Sequence, residues 1–287
     1  MMIRPRLFLA TNAVRGTLTW AALHLLSKFL YFNNEMIRSL LKSMYQNLFR
    51  VPLVHDIRRG NKNTLDATLI EAEYQKKLMQ SRFIGMGNPS ESGCHLLYYF
   101  RQENQLKKSL FIHGHEIFSR NANGSDEIKN RNINRYVFLD DFCGTGVQGV
   151  DYSINIVSKI KSLDDSAKVF YYPLIATDVG LGKIRDKNIF DKVETVIELD
   201  NSFRCFSKDS RFFLTSEKTI KSLASLICVH YGHQLFEHNM DCSPLGFGKC
   251  QLLIGLQHNT PDNTLPIFWA NSPSFQSIFH RYQKVNC

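Results

Sequence analysis

The spacing of apolar residues divides the chain into a helical first part and an alternating second part. In the first part, apolar side chains recur every three or four positions, and three segments are predicted as helices: 18–32, 35–49 and 64–80. Asn33 and Asn34 separate the first two helices, and Pro52 and Gly60 fall between the second and the third. We therefore expect residues 1–80 to form a helical extension.

From about residue 92 the pattern alternates between short apolar runs and helical periods. The predicted strands are 109–113, 136–140, 168–176, 193–199 and 251–257, and the predicted helices are 93–103, 147–161 and 216–230. Alternation of this kind is typical of an α/β fold, with a mostly parallel sheet and helices on both faces. A chain of 287 residues is long enough for one such domain, here residues 81–287, together with the helical extension.

The composition of the chain limits its expected partners and its cellular location. The formal net charge is +9, but no dense run of Lys and Arg marks a nucleic-acid stripe. The seven cysteines are odd in number and form no CxxC pair, which favours reduced thiols and a cytoplasmic location. The apolar segment near the N-terminus includes His24 and Lys28 and is too short to span a bilayer, so we expect an amphipathic core helix and no membrane partner, with an interfacial membrane helix as the alternative.

The most informative segment is Tyr136 to Gly149, YVFLDDFCGTGVQG. A short apolar run ends in two adjacent carboxylates, Asp140 and Asp141, and a small-residue loop with Gly144, Thr145 and Gly146 follows. Helical spacing resumes after the loop. The segment therefore predicts a buried strand, a tight loop and a helix start, which is how α/β folds hold a phosphorylated ribose.

Each part of this segment suits a ribosyl phosphate. Amides at a helix start are unpaired donors, and Gly144 and Gly146 let the backbone approach a phosphate closely. Gln148 stands in the first turn of the predicted helix as a further donor. Asp140 and Asp141 can accept from ribose hydroxyls or hold Mg²⁺ through them.

Two enzyme classes use a segment of this kind. Phosphoribosyltransferases place two acids before the loop, whereas S-adenosylmethionine-dependent methyltransferases can read LDxFCGTGxxG. A methyltransferase usually has a second acid about 20 residues on, but the next strand-ending acid, Asp178, lies 38 residues past Asp140. The paired acids favour the first class, and the methyltransferase stays an alternative.

The chain resembles the phosphoribosyltransferase-like family of prokaryotic conflict and anti-phage defence systems, including retron-associated effectors. The resemblance rests on Ala21–Leu41, Ser92–Arg101 (SGCHLLYYFR), the loop segment above and Leu245–Trp269 (LGFGKCQLLIGLQHNTPDNTLPIFW), and so covers most of the chain. Gln148 departs from the family pattern, because well-studied phosphoribosyltransferases usually carry Thr there.

The resemblance implies an effector that binds phosphoribosyl pyrophosphate or a related ribosyl phosphate with Mg²⁺. Asp140 and Asp141 would be the catalytic residues for transfer or cleavage at the ribose C1. A reverse transcriptase–nucleic acid complex, or another defence-system protein, is the expected partner. A catalytically silent nucleotide-sensing module is the other alternative.

Further candidate contacts lie elsewhere in the chain. Ser92 and Gly93 begin a predicted helix and suit the pyrophosphate end of the ligand, with Arg101 to assist. Asp178 opens DVGLGK, predicted as a loop after a strand, and His258 and Asn259 follow the last predicted strand. Because ligands sit beyond the carboxyl ends of parallel strands, these residues are candidates for contacting the pyrophosphate or the acceptor. The list of these further candidates is Ser92, Gly93, Arg101, Asp178, His258 and Asn259.

Overall fold

The computed structural model describes residues 12–87, 92–214, 217–235, 243–273 and 275–282. The chain divides into two compact units, one from Met1–Phe32 with Asn201–Cys287 and one from Asn33–Asp200. The predicted domain boundary at residue 80 lies inside the second unit.

The elements have the following bounds. The α-helices are α1 Asn12–Ser27, α2 Asn34–Ser43, α3 Val51–Gly60, α4 Ala67–Met79, α5 Ser92–Glu103, α6 Val147–Tyr152, α7 Ser158–Leu163, α8 Asp178–Arg185 and α9 Lys218–Leu235. The strands are β1 Leu30–Phe32, β2 Ser81–Gly85, β3 Phe118–Arg120, β4 Asp126–Ile128, β5 Arg135–Cys143, β6 Lys168–Thr177, β7 Lys192–Val193, β8 Ile197–Leu199 and β9 Ile254–Leu256. Met44–Arg50 and Ser153–Val157 are π-helical.

A parallel sheet forms the centre of the unit Asn33–Asp200. Its order is β2-β5-β6, and β7 and β8 both pair with the outer edge of β6. All of these pairings are parallel, so the strands end at one common edge, where Gly85, Cys143, Thr177 and Leu199 lie. The predicted α/β class with a mostly parallel sheet is confirmed.

Helices cover both faces of this sheet. On one face, side chains of β5 and β6 pack with apolar residues of the segment Val147–Leu163 and of α8, including Tyr136, Phe138, Val150, Ile160, Leu181 and Ile184. On the other face, Phe83 of β2 packs against Phe100 of α5, with ring centroids 5.2 Å apart, and against Phe49 at 5.0 Å. Burial on both faces explains why β5 and β6 carry nearly continuous apolar runs.

The predicted break at Pro52 is wrong, because the helix continues from α2 through Met44–Arg50 into α3. The amide of Val51 donates to the carbonyl of Gln46, five residues back. Proline has no N–H and crowds the preceding turn. The wider π-helical turn directly before Pro52 provides the room that an α-helical turn lacks.

Two strand predictions need correction in the unit Asn33–Asp200, and the strands β2, β3 and β4 were not predicted. Residues 109–113 are no strand, since Lys108–Leu110 is 3₁₀-helical and Phe111 makes a single bridge to Phe83. Predicted strand 193–199 is divided into β7 and β8, and between them the Thr195 hydroxyl donates to the Pro173 carbonyl at 2.9 Å, in place of a backbone amide. β2 has no predicted counterpart because Ser81 and Arg82 interrupt its apolar pattern.

The other unit is built around α1 and α9. Predicted helix 18–32 starts earlier and ends at Ser27, and Leu30–Phe32 instead pairs as β1 with β9 in parallel. Ala21 and Leu25 of α1 pack with Ala224 and Cys228 of α9, and all four side chains are fully buried. None of the helices within the described ranges combines the length and the apolar run that a membrane crossing requires.

Candidate functional site

Asp140 and Asp141 lie near the carboxyl end of β5, where the strand reaches the common edge of the sheet. The two residues are 7 % and 6 % exposed, respectively. The backbone amide of Asp141 donates to Oδ1 of Asp140 at 3.0 Å, and that of Phe142 donates to Oδ1 of Asp141 at 2.9 Å. These local bonds fix both carboxyl groups at the rim of the sheet, where the sequence predicted them.

Tyr171 of β6 is the main partner of Asp140. Its hydroxyl donates to Oδ2 of Asp140 at 2.9 Å, and both side chains are buried. Burial raises the pKa of Asp140 well above its ordinary value, and the neighbouring charge of Asp141 raises it further, whereas the bond from Tyr171 lowers it. Burial likewise raises the pKa of Tyr171, so its hydroxyl stays a donor.

The loop after β5 turns at Gly146, whose φ of +72° favours glycine. The first hydrogen bond of the following helix runs from the Val150 amide to the Gly146 carbonyl at 2.9 Å. Amides of the preceding loop residues therefore have no acceptor within that helix. Gly144 is buried and Thr145 is half-buried.

The start of α8 holds this loop in place. The Thr177 hydroxyl donates to the Gly144 carbonyl at 2.5 Å and accepts from the Gly180 amide at 2.9 Å. Thr177 is the N-cap residue of α8, so a single side chain both begins this helix and anchors the loop.

Two glycines allow the loop and α8 to meet. A Cβ at Gly146 would stand 2.5 Å from the Gly180 carbonyl oxygen. A Cβ at Gly180 would crowd the Gly144 carbonyl oxygen more closely than real Cβ atoms ever approach, and would lie 3.1 Å from the Cys143 sulfur. The loop therefore rests directly on the backbone of α8, and neither contact has room for a methyl group.

Gln148 lies in the first turn of α6 and is an exposed residue. Asp178 is beside the loop, but DVGLGK is not the predicted loop, since Asp178 opens α8 and its Oδ1 accepts from the Val179 amide at 2.7 Å. The cause is the N-cap at Thr177, which starts a helix directly at the strand end. Asp178 directly follows Thr177, which bonds to the loop, and the helix of Gln148 directly follows the loop in sequence. Contact of either residue with a ligand stays a prediction.

The SGCHLLYYFR segment forms α5, which begins at Ser92 and Gly93 as predicted. Residues 88–91 before it lie outside the described residues. Arg101 is nine positions past Ser92, which is about 14 Å along a helix. Its guanidinium lies 5.8 Å from the ring centre of Tyr98. The structure therefore does not bring Arg101 together with Ser92.

His258 and Asn259 belong to the other unit, Met1–Phe32 with Asn201–Cys287. They form a tight turn after β9, in which the Leu256 amide donates to the Asn259 carbonyl at 3.0 Å. The Asn259 side chain accepts from the Tyr282 amide at 3.2 Å. Asn259 thus has a structural role in closing this turn, and its contact with an acceptor stays a prediction.

A resident metal has few ligands to use here. No group of three or more His, Cys, Asp or Glu that could hold an ion occurs in the described part of the chain. Mg²⁺ often takes only one or two protein carboxylates and fills its remaining positions with water and substrate oxygens. The pair Asp140 and Asp141 fits this mode, in which a ligand brings the ion.

Sequence reasoning missed three residues of this site: Tyr171, Thr177 and Gly180. Thr177 carried a readable signal, since a Thr directly before an acid is a helix N-cap pattern. Tyr171 and Gly180 carried none, because their roles depend on contacts across neighbouring strands.

Comparison with known proteins identifies the family of this chain. A family model described as PRTase-CE matches residues 15–281. No curated protein matches the chain. Among solved structures, the AQ2163 protein from Aquifex aeolicus is similar over 67% of this chain and 86% of that chain, with 14% identity and a TM-score of 0.30. Because the family match extends over most of the sequence, the chain belongs to the PRTase-CE family, a phosphoribosyltransferase-like family.

Proposed function

We propose that the sheet edge at Asp140 and Asp141 binds a ribosyl phosphate such as phosphoribosyl pyrophosphate together with Mg²⁺. The observation that carries this proposal is the adjacency of two buried carboxyl groups and a loop of close-packed glycines at the end of β5. Membership of a phosphoribosyltransferase-like family supports the same ligand class.

The loop Gly144–Gly146 is the part suited to the phosphate. Its amides precede the first bonded turn of the helix, so they are donors for anionic oxygens. The Thr177 hydroxyl, by holding the Gly144 carbonyl, orients the loop before any ligand arrives. Preorganised donors avoid the ordering cost of binding.

The carboxyl groups are suited to the ribose. Ionised Asp140 and Asp141 accept from ribose hydroxyls, and they would hold Mg²⁺ that the ligand oxygens also contact. A bound Mg²⁺ would supply positive charge near the pyrophosphate. A bound Mg²⁺ would also offset the repulsion between the two buried carboxylates. In this structure burial is the larger cause of the raised pKa of Asp140, and this repulsion is the next.

The reaction that this arrangement supports is substitution at the ribose C1. The bond from C1 to the pyrophosphate oxygen breaks, its electron pair leaves with pyrophosphate, and a nucleophile forms the new bond to C1. Positive charge that develops at C1 is stabilised by the carboxylates of Asp140 and Asp141. The nucleophile would be a nitrogenous acceptor for transfer or water for cleavage.

The other functions fit this site less well. A methyltransferase would bind S-adenosylmethionine at the same loop, but the PRTase-CE match over residues 15–281 favours phosphoribosyl chemistry. A silent sensing module would bind the same ligand without turnover. We also propose, on the family resemblance alone, that the protein acts as an anti-phage effector together with a reverse transcriptase–nucleic acid complex or another defence protein.

Calorimetric titration with phosphoribosyl pyrophosphate and Mg²⁺ tests the proposed ligand. Replacing both Asp140 and Asp141 by Asn removes the charges with little change of shape, and we expect at least a roughly tenfold loss of affinity, since a hydrogen bond to a charged group is worth about 1.5–3 kcal/mol.

The matched control is the same double replacement at Asp164 and Asp165, adjacent acids in the turn before β6 at the other end of the sheet. We expect the control to bind like the wild type. Unchanged affinity in the Asp140 and Asp141 double variant would rule the proposal out. Release of pyrophosphate in the same sample separates an enzyme from a silent module.

A further inference from the structure

A cavity with several polar lining residues lies in the unit Asn33–Asp200, between the π-helical segment Met44–Arg50 and α4. Its volume is about 260 Å³. Its lining combines apolar side chains with aromatic hydroxyls, amides and charged groups, and the polar and charged residues include Tyr45, Gln46, Arg50, Glu71, Tyr74 and Lys107. None of these residues belongs to the Asp140 site or to the loop after β5.

The hydroxyls of the two tyrosines at this cavity have two protons, and only one of these is used in the hydrogen bond between them. The hydroxyls of Tyr45 and Tyr74 hydrogen-bond to each other, and the two residues are 5 % and 2 % exposed. Burial raises the pKa of both, so both oxygens keep their protons at neutral pH. Two hydroxyls carry two protons, and their mutual bond uses one. Within the described ranges neither hydroxyl has another partner, so one O–H is available to a ligand acceptor.

The guanidinium of Arg50 supplies positive charge beside this pair. Its Cζ lies 5.4 Å from the ring centre of Tyr74. Its contact with Glu71 is loose, since the nearest N–O distance is 3.7 Å, beyond hydrogen-bond length. The Gln75 amide donates to the other Glu71 oxygen at 2.7 Å. Arg50 therefore keeps donors for an incoming anion, and the exposed Lys107 adds a second cation.

The backbone of the π-helical segment brings these groups together. A π-helical turn of this kind widens a helix and often occurs at functional sites. Tyr45 and Arg50 both lie in this segment, and Tyr74 faces them from α4. The cavity is slightly smaller than ordinary drug-sized sites, so its occupant is a small molecule.

We propose that this cavity binds a small oxyanion, a carboxylate or a phosphate, through the spare hydroxyl proton of the Tyr45–Tyr74 pair and the guanidinium of Arg50. This site is independent of the proposed ribosyl phosphate site, because the two share no residue.

The test uses the full chain with two probes, benzoate for a carboxylate and inorganic phosphate for a phosphate. Each is titrated while the signals of isotope-labelled tyrosine Cζ atoms are followed by NMR, because these signals report on the hydroxyls directly. We expect saturable shifts of the Tyr45 and Tyr74 signals with at least one probe. The probe that binds more tightly identifies the oxyanion class.

Two variants and one control make the test specific. Tyr74→Phe keeps the ring and removes a hydroxyl, and Arg50→Gln removes the charge of a side chain that is 44% exposed. Each should weaken binding by about ten- to a hundredfold, as for the loss of a hydrogen bond to a charged group. Tyr98→Phe removes a hydroxyl from an exposed tyrosine on α5 outside the cavity and should have no effect.

Two outcomes would overturn the proposal. One is the absence of shifts at Tyr45 and Tyr74 with either probe. The other is binding that is as tight in Arg50→Gln and Tyr74→Phe as in the wild type, which would place the probe elsewhere. The affinity for phosphoribosyl pyrophosphate, measured on the same variants, should be unchanged. A negative result for the oxyanion cavity is therefore distinguishable from a negative result for the proposed ribosyl phosphate site.

Discussion

The contact between the loop after β5 and α8 can be tested with a single methyl group, by Gly180→Ala. Gly180 has ordinary helical backbone angles, so alanine suits the local backbone. The obstacle is steric, because the new Cβ would crowd the Gly144 carbonyl oxygen and lie 3.1 Å from the Gly144 carbonyl carbon. Backbone atoms cannot turn aside as a flexible side chain can. The loop must therefore shift by several tenths of an ångström.

Gly182, two residues further along α8, provides a matched control. A Cβ there has nothing within 4 Å. Replacing a helical glycine by alanine stabilises a helix by up to about 1 kcal/mol, and this gain is common to both variants. Overpacking costs about 1–3 kcal/mol. We therefore expect Gly182→Ala to be more stable than the wild type, and Gly180→Ala to be less stable than Gly182→Ala by about 1–3 kcal/mol.

Ligand affinity should separate the two variants more clearly than stability. A displacement approaching 1 Å in a positioned group can cost about a hundredfold in function. We expect Gly180→Ala to bind phosphoribosyl pyrophosphate with Mg²⁺ about tenfold more weakly or worse, and Gly182→Ala to bind normally. Urea unfolding gives the difference in stability, and calorimetric titration gives the affinities. If Gly180→Ala binds as tightly as Gly182→Ala, the loop does not depend on α8 and the steric argument is wrong.

Two other perturbations test the same region. Thr177→Val keeps the shape of the side chain but removes the bonds to the Gly144 carbonyl and the Gly180 amide. We expect the free energy of unfolding, measured in urea, to fall by about 1–3 kcal/mol and ligand binding to weaken. If neither quantity changes, Thr177 does not anchor the loop. Asp140→Asn addresses pH. Because the pKa of Asp140 is raised by burial and then by Asp141, the stability that its proton provides is complete below the unfolded pKa and is lost as pH rises through the folded pKa. The variant lacks this loss, so the free energy of unfolding of the variant, relative to that of the wild type, should grow as pH rises above the ordinary pKa of an aspartate, about 4. A margin independent of pH would contradict the assignment.

The strand and acids of the site could be predicted because their signal is local. The apolar run before Asp140 identifies a buried strand, and the glycines after Asp141 identify a turn. The same reasoning placed Asp178 in a loop, because its two glycines resemble a turn when the capping role of Thr177 is overlooked. In the structure those glycines lie in a helix, and one of them, Gly180, is required by the loop that it touches.

Other features depend on distant parts of the chain. The hydrogen bond from Tyr171 to Asp140 joins residues 31 positions apart on neighbouring strands, and no local sequence pattern predicts it. The continuation of the helix through Pro52 depends on a wider turn that sequence periodicity does not encode. The spare proton of Tyr45 and Tyr74 likewise follows only from their meeting across two helices.

The bond from Thr177 to Gly144 has a consequence for protein engineering. The segment Tyr136–Gly149 contains the whole sequence motif, yet the conformation of its loop depends on two residues outside it. These are Thr177, through its hydroxyl, and Gly180, through its lack of a side chain. Transplanting that segment alone into another sheet would transfer its sequence without the contacts that shape the loop. A chimera that carries Thr177–Gly182 along with it should keep the loop geometry, and these two stretches are best varied as one unit.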